Sequence, residues 1–137
     1  MKNIDKRLDD IFAIWIKLKY TNDEGFGNCY TCDEPISFKT GQCGHYPNIP
    51  RGIWRFRWNT IIHKFQCQNC NEFNAGRPDA FRDRLIQEID LVNVAKYEFL
   101  AKQNHKWTNW DKECLFKKLK KECQEMLKEK MFSVTLP

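Results

Sequence analysis

Two Cys-x-x-Cys pairs, Cys29-Tyr-Thr-Cys32 and Cys67-Gln-Asn-Cys70, are separated by 34 residues, and a Gly44-His45 step lies between them. A Cys-x-x-Cys turn holds two thiolates about 4 Å apart, which suits one edge of a tetrahedral zinc ion, and a second such turn supplies the other edge. Four thiolates close the coordination shell, so the Zn²⁺ that this spacing predicts is structural rather than reactive. Seven cysteines make an odd count, and paired spacing in a chain without a secretory pattern favours metal over disulfides. A reactive group must then come from elsewhere in the stapled unit. His45 is the first choice, because an imidazole of pKa about 6.5 is mostly neutral near pH 7 and can take up a proton. The competing roles for His45 are an unused fifth ligand or a hydrogen-bonded core histidine. Cys43 is a weaker candidate for the zinc shell, since a strand residue there points opposite to its neighbours.

Charge collects in the same unit. Residues 1–34 carry five basic and seven acidic side chains, residues 72–137 carry thirteen and eleven, and residues 35–71 carry five basic ones with no acid. The central unit alone therefore equals the net charge of the whole chain, +5. Such a local field suits a polyanion and makes binding salt-sensitive. Arg51, Arg55, Arg57 and Lys64, joined by Arg77, are the residues expected to neutralise phosphates of a nucleic acid. Trp54 and Trp58 lie among them, and either can stack on unpaired bases or wedge at a branch point. A solvated basic surface, with the tryptophans covering the core, is the alternative; one of the two tryptophans is expected to be exposed. His105 lies outside the unit and carries no signal.

The rest of the chain has to position these residues. At 137 residues it is long enough to bury one core, and a single domain is expected. No apolar run approaches the roughly 20 residues needed to span a bilayer. Asp5, Asp9 and Asp10 interrupt any signal-peptide pattern, so the reading is a soluble, cytoplasmic protein with no membrane partner. Ile4, Leu8, Ile11, Phe12, Trp15 and Leu18 recur at helical spacing and predict an amphipathic helix over 3–20. Asn28 to Phe38 reads as a zinc knuckle and short hairpin turning at Asp33-Glu34-Pro35. Gly41–Tyr46 reads as one strand and Asn59–Phe65 as a second, delivering Cys67 and Cys70 to the start of a short helix. Gly76 and Pro78 punctuate it. A helix from Pro78 to about residue 101 carries the stripe Phe81, Leu85, Ile89, Val92 and Phe99. Thr108 is placed as the N-cap of a last helix over about 109–130, with Leu115, Leu119, Cys123, Met126 and Lys130 along one face. That face is either core or a homodimer surface. Cys114 and Cys123 are read as packing residues, and Ser133–Pro137 as a frayed tail.

A strand ending in Gly-His, a loop, a second strand and a helix opening at Cys-x-x-Cys-Asn together resemble the HNH, or His-metal-finger, nucleases. Leu8-Asp-Asp-Ile-Phe-Ala-Ile-Trp-Ile-Lys-Leu-Lys19, Cys29-Tyr-Thr-Cys32, Gln42-Cys-Gly-His-Tyr46, Arg57-Trp-Asn59 and Gln66-Cys-Gln-Asn-Cys-Asn71 resemble, in that order, the blocks of the phage recombination family NinG, or Rap. The resemblance covers most of residues 4–130. It implies an α+β fold: a treble-clef-like, zinc-stapled ββα (HNH) unit over 26–77, flanked by one N-terminal helix (3–20) and two C-terminal helices (78–130). It also implies a metal-dependent endonuclease acting on branched DNA such as Holliday junctions or flaps, in the cytoplasm of a phage's bacterial host. A two-fold homodimer would suit a symmetric junction. His45 is then the general base, Asn71 the ligand of a catalytic divalent cation, most simply Mg²⁺, and Asn59 or His63 the group that orients the base. His63 reads equally well as a surface or DNA-contact residue, and Asn71 as a helix-end hydrogen bonder. Two positions depart from the wider HNH pattern. Gly44 stands where many members carry an acidic ligand, with Glu72 and Asp79 the nearest replacements. Ile62 stands where the central asparagine usually does. If those departures mark a lost active site, the chain is a non-catalytic, zinc-stabilised DNA-binding protein.

Overall fold

A computed structural model describes residues 3–50, 52–103 and 105–137. The first helix, α1 (Ile4–Lys19), starts where the side chain of Asn3 accepts a hydrogen bond from the Lys6 N–H at 2.9 Å. An N-cap of this kind satisfies one of the orphan donors of the first turn. Its apolar stripe buries Leu8, Ile11, Phe12, Ile16 and Leu18, and Thr21 caps the far end through its hydroxyl to the Lys17 carbonyl.

Two small antiparallel ladders follow. Strands β1 (Phe26–Asn28) and β2 (Pro35–Ser37) pair around the first cysteine turn. Asp33, at φ 62°, turns the chain back between them. Strands β3 (Gln42–His45) and β4 (His63–Gln66) form the second ladder, with His45 opposite His63 and Gln42 opposite Gln66. β4 begins at His63 rather than at Asn59. The β-branched run Thr60-Ile61-Ile62 is bent instead, because the Asn59 side chain accepts from the Ile61 and Ile62 N–H groups in a local turn, the competition with ladder bonding expected of asparagine.

Cys67 and Cys70 open onto a single π turn, Asn69–Phe73, in place of the expected α-helical start. Residues Ala75, Gly76 and Arg77 then all have positive φ, 52°, 80° and 56°, before α2 (Pro78–Ile89). The C-terminal part holds three helices, not two: α2, α3 (Leu91–Leu100) and α4 (Asn109–Leu127). The break is at Asp90, which sits at φ 71° and caps α3 by accepting from the Asn93 N–H. The change of helical phase at Asp90 removes Val92 and Phe99 from the expected apolar stripe; they are 76% and 62% exposed, and Val94 is buried in their stead. Thr108 caps α4 in a reciprocal box with Asp111.

The core falls into two main clusters. One joins α1 to α4 through Leu8, Ile11, Phe12, Phe116, Leu119 and Cys123, together with Trp58. The stripe of α4 is thus packed within the chain, whereas Cys114 is exposed and does not pack as expected. The other cluster joins Tyr46, Ile49, Phe56 and Ile62 to Phe81, Leu85 and Val94 of the α2–α3 pair. The C-terminal segment is docked, not frayed: Phe132 and Leu136 pack on the first cluster, and the Met131 N–H bonds to the Asp23 carbonyl. No helix among the described residues is long and apolar enough to cross a membrane.

Candidate functional site

The four cysteines of the two pairs converge. Their sulfur atoms all lie within 4.8 Å of one another, and Cys32 Sγ is 3.8 Å from Cys67 Sγ. A tetrahedron with Zn–S bonds of about 2.3 Å has edges of about 3.8 Å, so the donor set fits a structural metal ion such as zinc. Cys29, Cys67 and Cys70 are buried and Cys32 is exposed. Local hydrogen bonds build this convergence: Asp33 N–H to the Cys29 carbonyl closes the first turn, and Tyr30 N–H to the Phe65 carbonyl ties it to β4. Cys43 stands apart from the set.

The β3–β4 register sorts side chains onto two faces. Cys43 and His45 share one with Phe65 and His63, turned toward α1, where the Phe12 ring meets His63 edge-on at 4.8 Å. Gln42 and Gly44 share the other with Gln66 and Lys64, turned toward the cysteine turn and α2. His45 ends its strand between two openings. A cleft of about 330 Å³ is lined by His45, Pro47, Asn71, Glu72, Ala75 and Gly76. A second, of about 640 Å³, is lined by His45, His63, Asp9, Asp10, Lys6 and Arg57, among others.

Within this frame the expected site residues separate. His45 and Asn71 line one cleft, and the His63 ring lies 6.4 Å from that of His45. His63 Nδ1 is 2.7 Å from the Asn59 carbonyl oxygen. Asn59 therefore meets His63 through its backbone, its side chain being engaged in the turn. Asn71 sits on the π turn with its Nδ2 donating to Gln42 Oε1 at 2.8 Å. Glu72 is at the rim, and hydrogen bonds from Gln68 and Gln42 hold its carboxyl below the usual carboxylate range. Asp79 is not among the residues lining either cleft.

The basic residues part company in the same way. Arg57 forks onto Asp9, with Nε and Nη2 at 3.1 and 2.6 Å from its oxygens, and the Trp58 indole N–H donates to the same carboxylate. Hydrogen bonding to Asp9 raises the Arg57 pKa further. Trp58 is buried in the core and cannot stack on a base, whereas Trp54 is 40% exposed and carries Arg57 and Lys112 against its ring at 4.5 and 5.0 Å. Arg55 is half-buried and Arg77 exposed; Arg51 lies outside the described residues.

Lys64 corrects the sequence reading. It is 1% exposed, with Nζ donating to Glu88 Oε1 at 2.9 Å and to the Tyr20 hydroxyl at 3.1 Å, so its charge is engaged inside the fold and not offered to phosphate. Burial acts to raise the Glu88 carboxyl, but hydrogen bonds from Tyr30 and Lys64 outweigh it and hold its pKa below the usual value. Lys64→Ala is expected to cost about 2 kcal/mol, less than a fully buried pair because Glu88 is partly exposed. A folded-state pKa below the unfolded one gives stability that is present above the ordinary glutamate value of 4.5 and is lost as pH falls through the folded value. The difference between wild type and Lys64→Ala in urea denaturation should accordingly shrink in acid.

Sequence reasoning missed two sets of residues. Asp9 and Asp10 face the larger cleft from α1, and their signal was two adjacent acids on one side of an amphipathic helix. Gln42 and Gln66 frame Asn71 and Gly44, and their signal was a glutamine immediately before a cysteine in both strands.

Fold and cysteine geometry together define a small α+β protein with a four-cysteine site suited to a structural metal. Over residues 1–131 the chain matches the family described as Bacteriophage Lambda NinG protein, and it belongs to the NinG family. No curated protein and no solved structure gives a significant match.

Proposed function

We propose that the protein is a metal-dependent DNA endonuclease of the HNH type, directed at branched recombination intermediates, with His45 as general base and Asn71 as a ligand of the catalytic divalent cation. One observation carries the reading: His45, at the end of a strand, and Asn71, on the turn directly after the last cysteine of the metal-type set, line a single cleft of about 330 Å³. Phosphodiester hydrolysis requires a water to lose its proton as it attacks phosphorus and the departing oxygen to be relieved of charge. His45 would take up that proton, and His63, held by the Asn59 carbonyl at 2.7 Å, stands beside it as an orienting group. Asn71, held by Gln42, would present its carbonyl oxygen to a hard cation such as Mg²⁺, which supplies charge neutralisation at the leaving oxygen when bound. Trp54 at the rim of the basic loop is the stacking surface for an unpaired base. The choice of branched DNA follows from the NinG family resemblance. The test is a nicking assay on labelled linear, flap and four-way DNA with zinc-loaded protein and a series of divalent cations. Mg²⁺-dependent nicks concentrated at branches are expected. Binding without cleavage under any cation would instead identify a non-catalytic DNA-binding protein.

A further inference from the structure

Gln66 is fully buried, yet one of its two polar atoms has no partner among the described residues. Its Nε2 donates to Thr31 Oγ1 and to the Gly76 carbonyl, each at 3.0 Å. Both donors are thereby used and the amide orientation is fixed. Its Oε1 is buried and accepts no hydrogen bond. A buried carbonyl left in that state costs about 1–3 kcal/mol and calls for an ion or water to satisfy it.

The atom points at Gly44. A methyl group built on Gly44 would lie 1.8 Å from Gln66 Oε1 and 3.1 Å from Asn71 Oδ1, so Gln66 Oε1 fills the place where a side chain on Gly44 would stand and Asn71 Oδ1 lies at its edge. Asn71 is oriented by the bond of its Nδ2 to Gln42. The left-handed turn at Gly76 brings the carbonyl that pins Gln66, and a side chain there would strike Pro47 at 2.7 Å. These contacts fix two hard oxygen donors beside Gly44, and Gln66 Oε1 fits there only because residue 44 is glycine.

We propose that Gln66, through Oε1, is a second protein ligand of the divalent cation held by Asn71, and that Gly44 is the space that ligand occupies. The inference rests on the reading of Asn71 given above and explains how the site dispenses with an acidic residue before His45. Carbonyl oxygens are suitable ligands for Mg²⁺ and Mn²⁺, with water and phosphate completing the shell.

The test is Mn²⁺ binding to the zinc-loaded full chain, read from loss of the free Mn²⁺ electron paramagnetic resonance signal. Zinc content and thermal melting are followed in the same samples. Gly44→Ala displaces Oε1 and Gln66→Met removes it while keeping side-chain length; each is expected to weaken Mn²⁺ binding about tenfold or more with one zinc per chain retained. Asn71→Ala is expected to abolish binding. If Asn71→Ala weakens Mn²⁺ binding but both other variants bind like wild type, the orphan oxygen is met by water, the proposal is overturned and the Asn71 assignment stands. If wild type takes up no Mn²⁺ beyond its zinc, the proposal is also overturned, and Mg²⁺-dependent cleavage by the same preparation decides the nuclease reading separately. Should Gly44→Ala not fold, Gln66→Met carries the same comparison.

Discussion

His45→Ala protein should lose about 10²- to 10⁴-fold in single-turnover nicking rate, the range general-base catalysis usually contributes, while DNA affinity and zinc content stay at wild-type values. The separation of these readouts follows from where His45 sits. It closes β3 opposite His63, at the wall between two clefts, and takes no part in the cysteine set. Neither main apolar cluster includes it, so truncation removes a reacting group without opening a large core cavity. His63→Ala should act differently. It removes the ring that meets Phe12 edge-on and that the Asn59 carbonyl holds, so a smaller rate loss accompanied by some loss of stability is expected.

Removing the metal is expected to have the largest effect on the fold. Cys70 is fully buried and its N–H donates to Cys67 Sγ at 3.4 Å. Cys70→Ser therefore leaves an incomplete thiolate set at a buried position. Structural zinc in small domains is worth about 10–16 kcal/mol of apparent binding free energy at neutral pH, as large as the whole stability of a typical domain, about 5–15 kcal/mol. Cys70→Ser, or wild type stripped by chelator, should lose cooperative unfolding and near-ultraviolet circular dichroism. Helical signal should persist from α1 and α4, which pack in a cluster separate from the cysteines. Metal affinity should fall with pH. Burial pushes the Cys32 and Cys67 thiols up. Burial opposes ionisation at Cys29 too, but hydrogen bonds from Thr31 and from nearby backbone groups bring it below its usual value. Binding must therefore displace protons from Cys32 and Cys67, and acid returns them. Zinc release followed with a metal-sensitive dye across pH checks the sign; a metal-free protein that melts like the loaded one would contradict the role as a staple.

What could be read from the chain, and what could not, divides by the range of the interaction involved. The amphipathic period of α1, the Thr108 cap of α4, the two cysteine turns and the strand ending at His45 are local patterns, and each appears where the spacing puts it. The Asn59–Ile62 bend was hidden because its β-branched residues favour a strand while one asparagine side chain, bonding two residues on, decides for a turn. The α2–α3 break turns on Asp90 adopting a positive φ of 71° with no glycine or proline to announce it. Lys64 looked like part of a basic surface since its neutralising partner, Glu88, is 24 residues away on another element. The Gln-Cys step marked Gln66 in the chain but not its surroundings, which depend on Thr31, Gly44 and Gly76 meeting around one amide.

The most direct measurement is chemical rescue. A four-way junction labelled on one strand is incubated in Mg²⁺ with zinc-loaded His45→Gly protein, with and without free imidazole. Under the proposed mechanism the variant is inactive alone and regains cleavage in proportion to imidazole concentration. Cleavage by His45→Gly at the wild-type rate, unchanged by imidazole, would contradict the assignment of His45 as the base and with it the site as a whole.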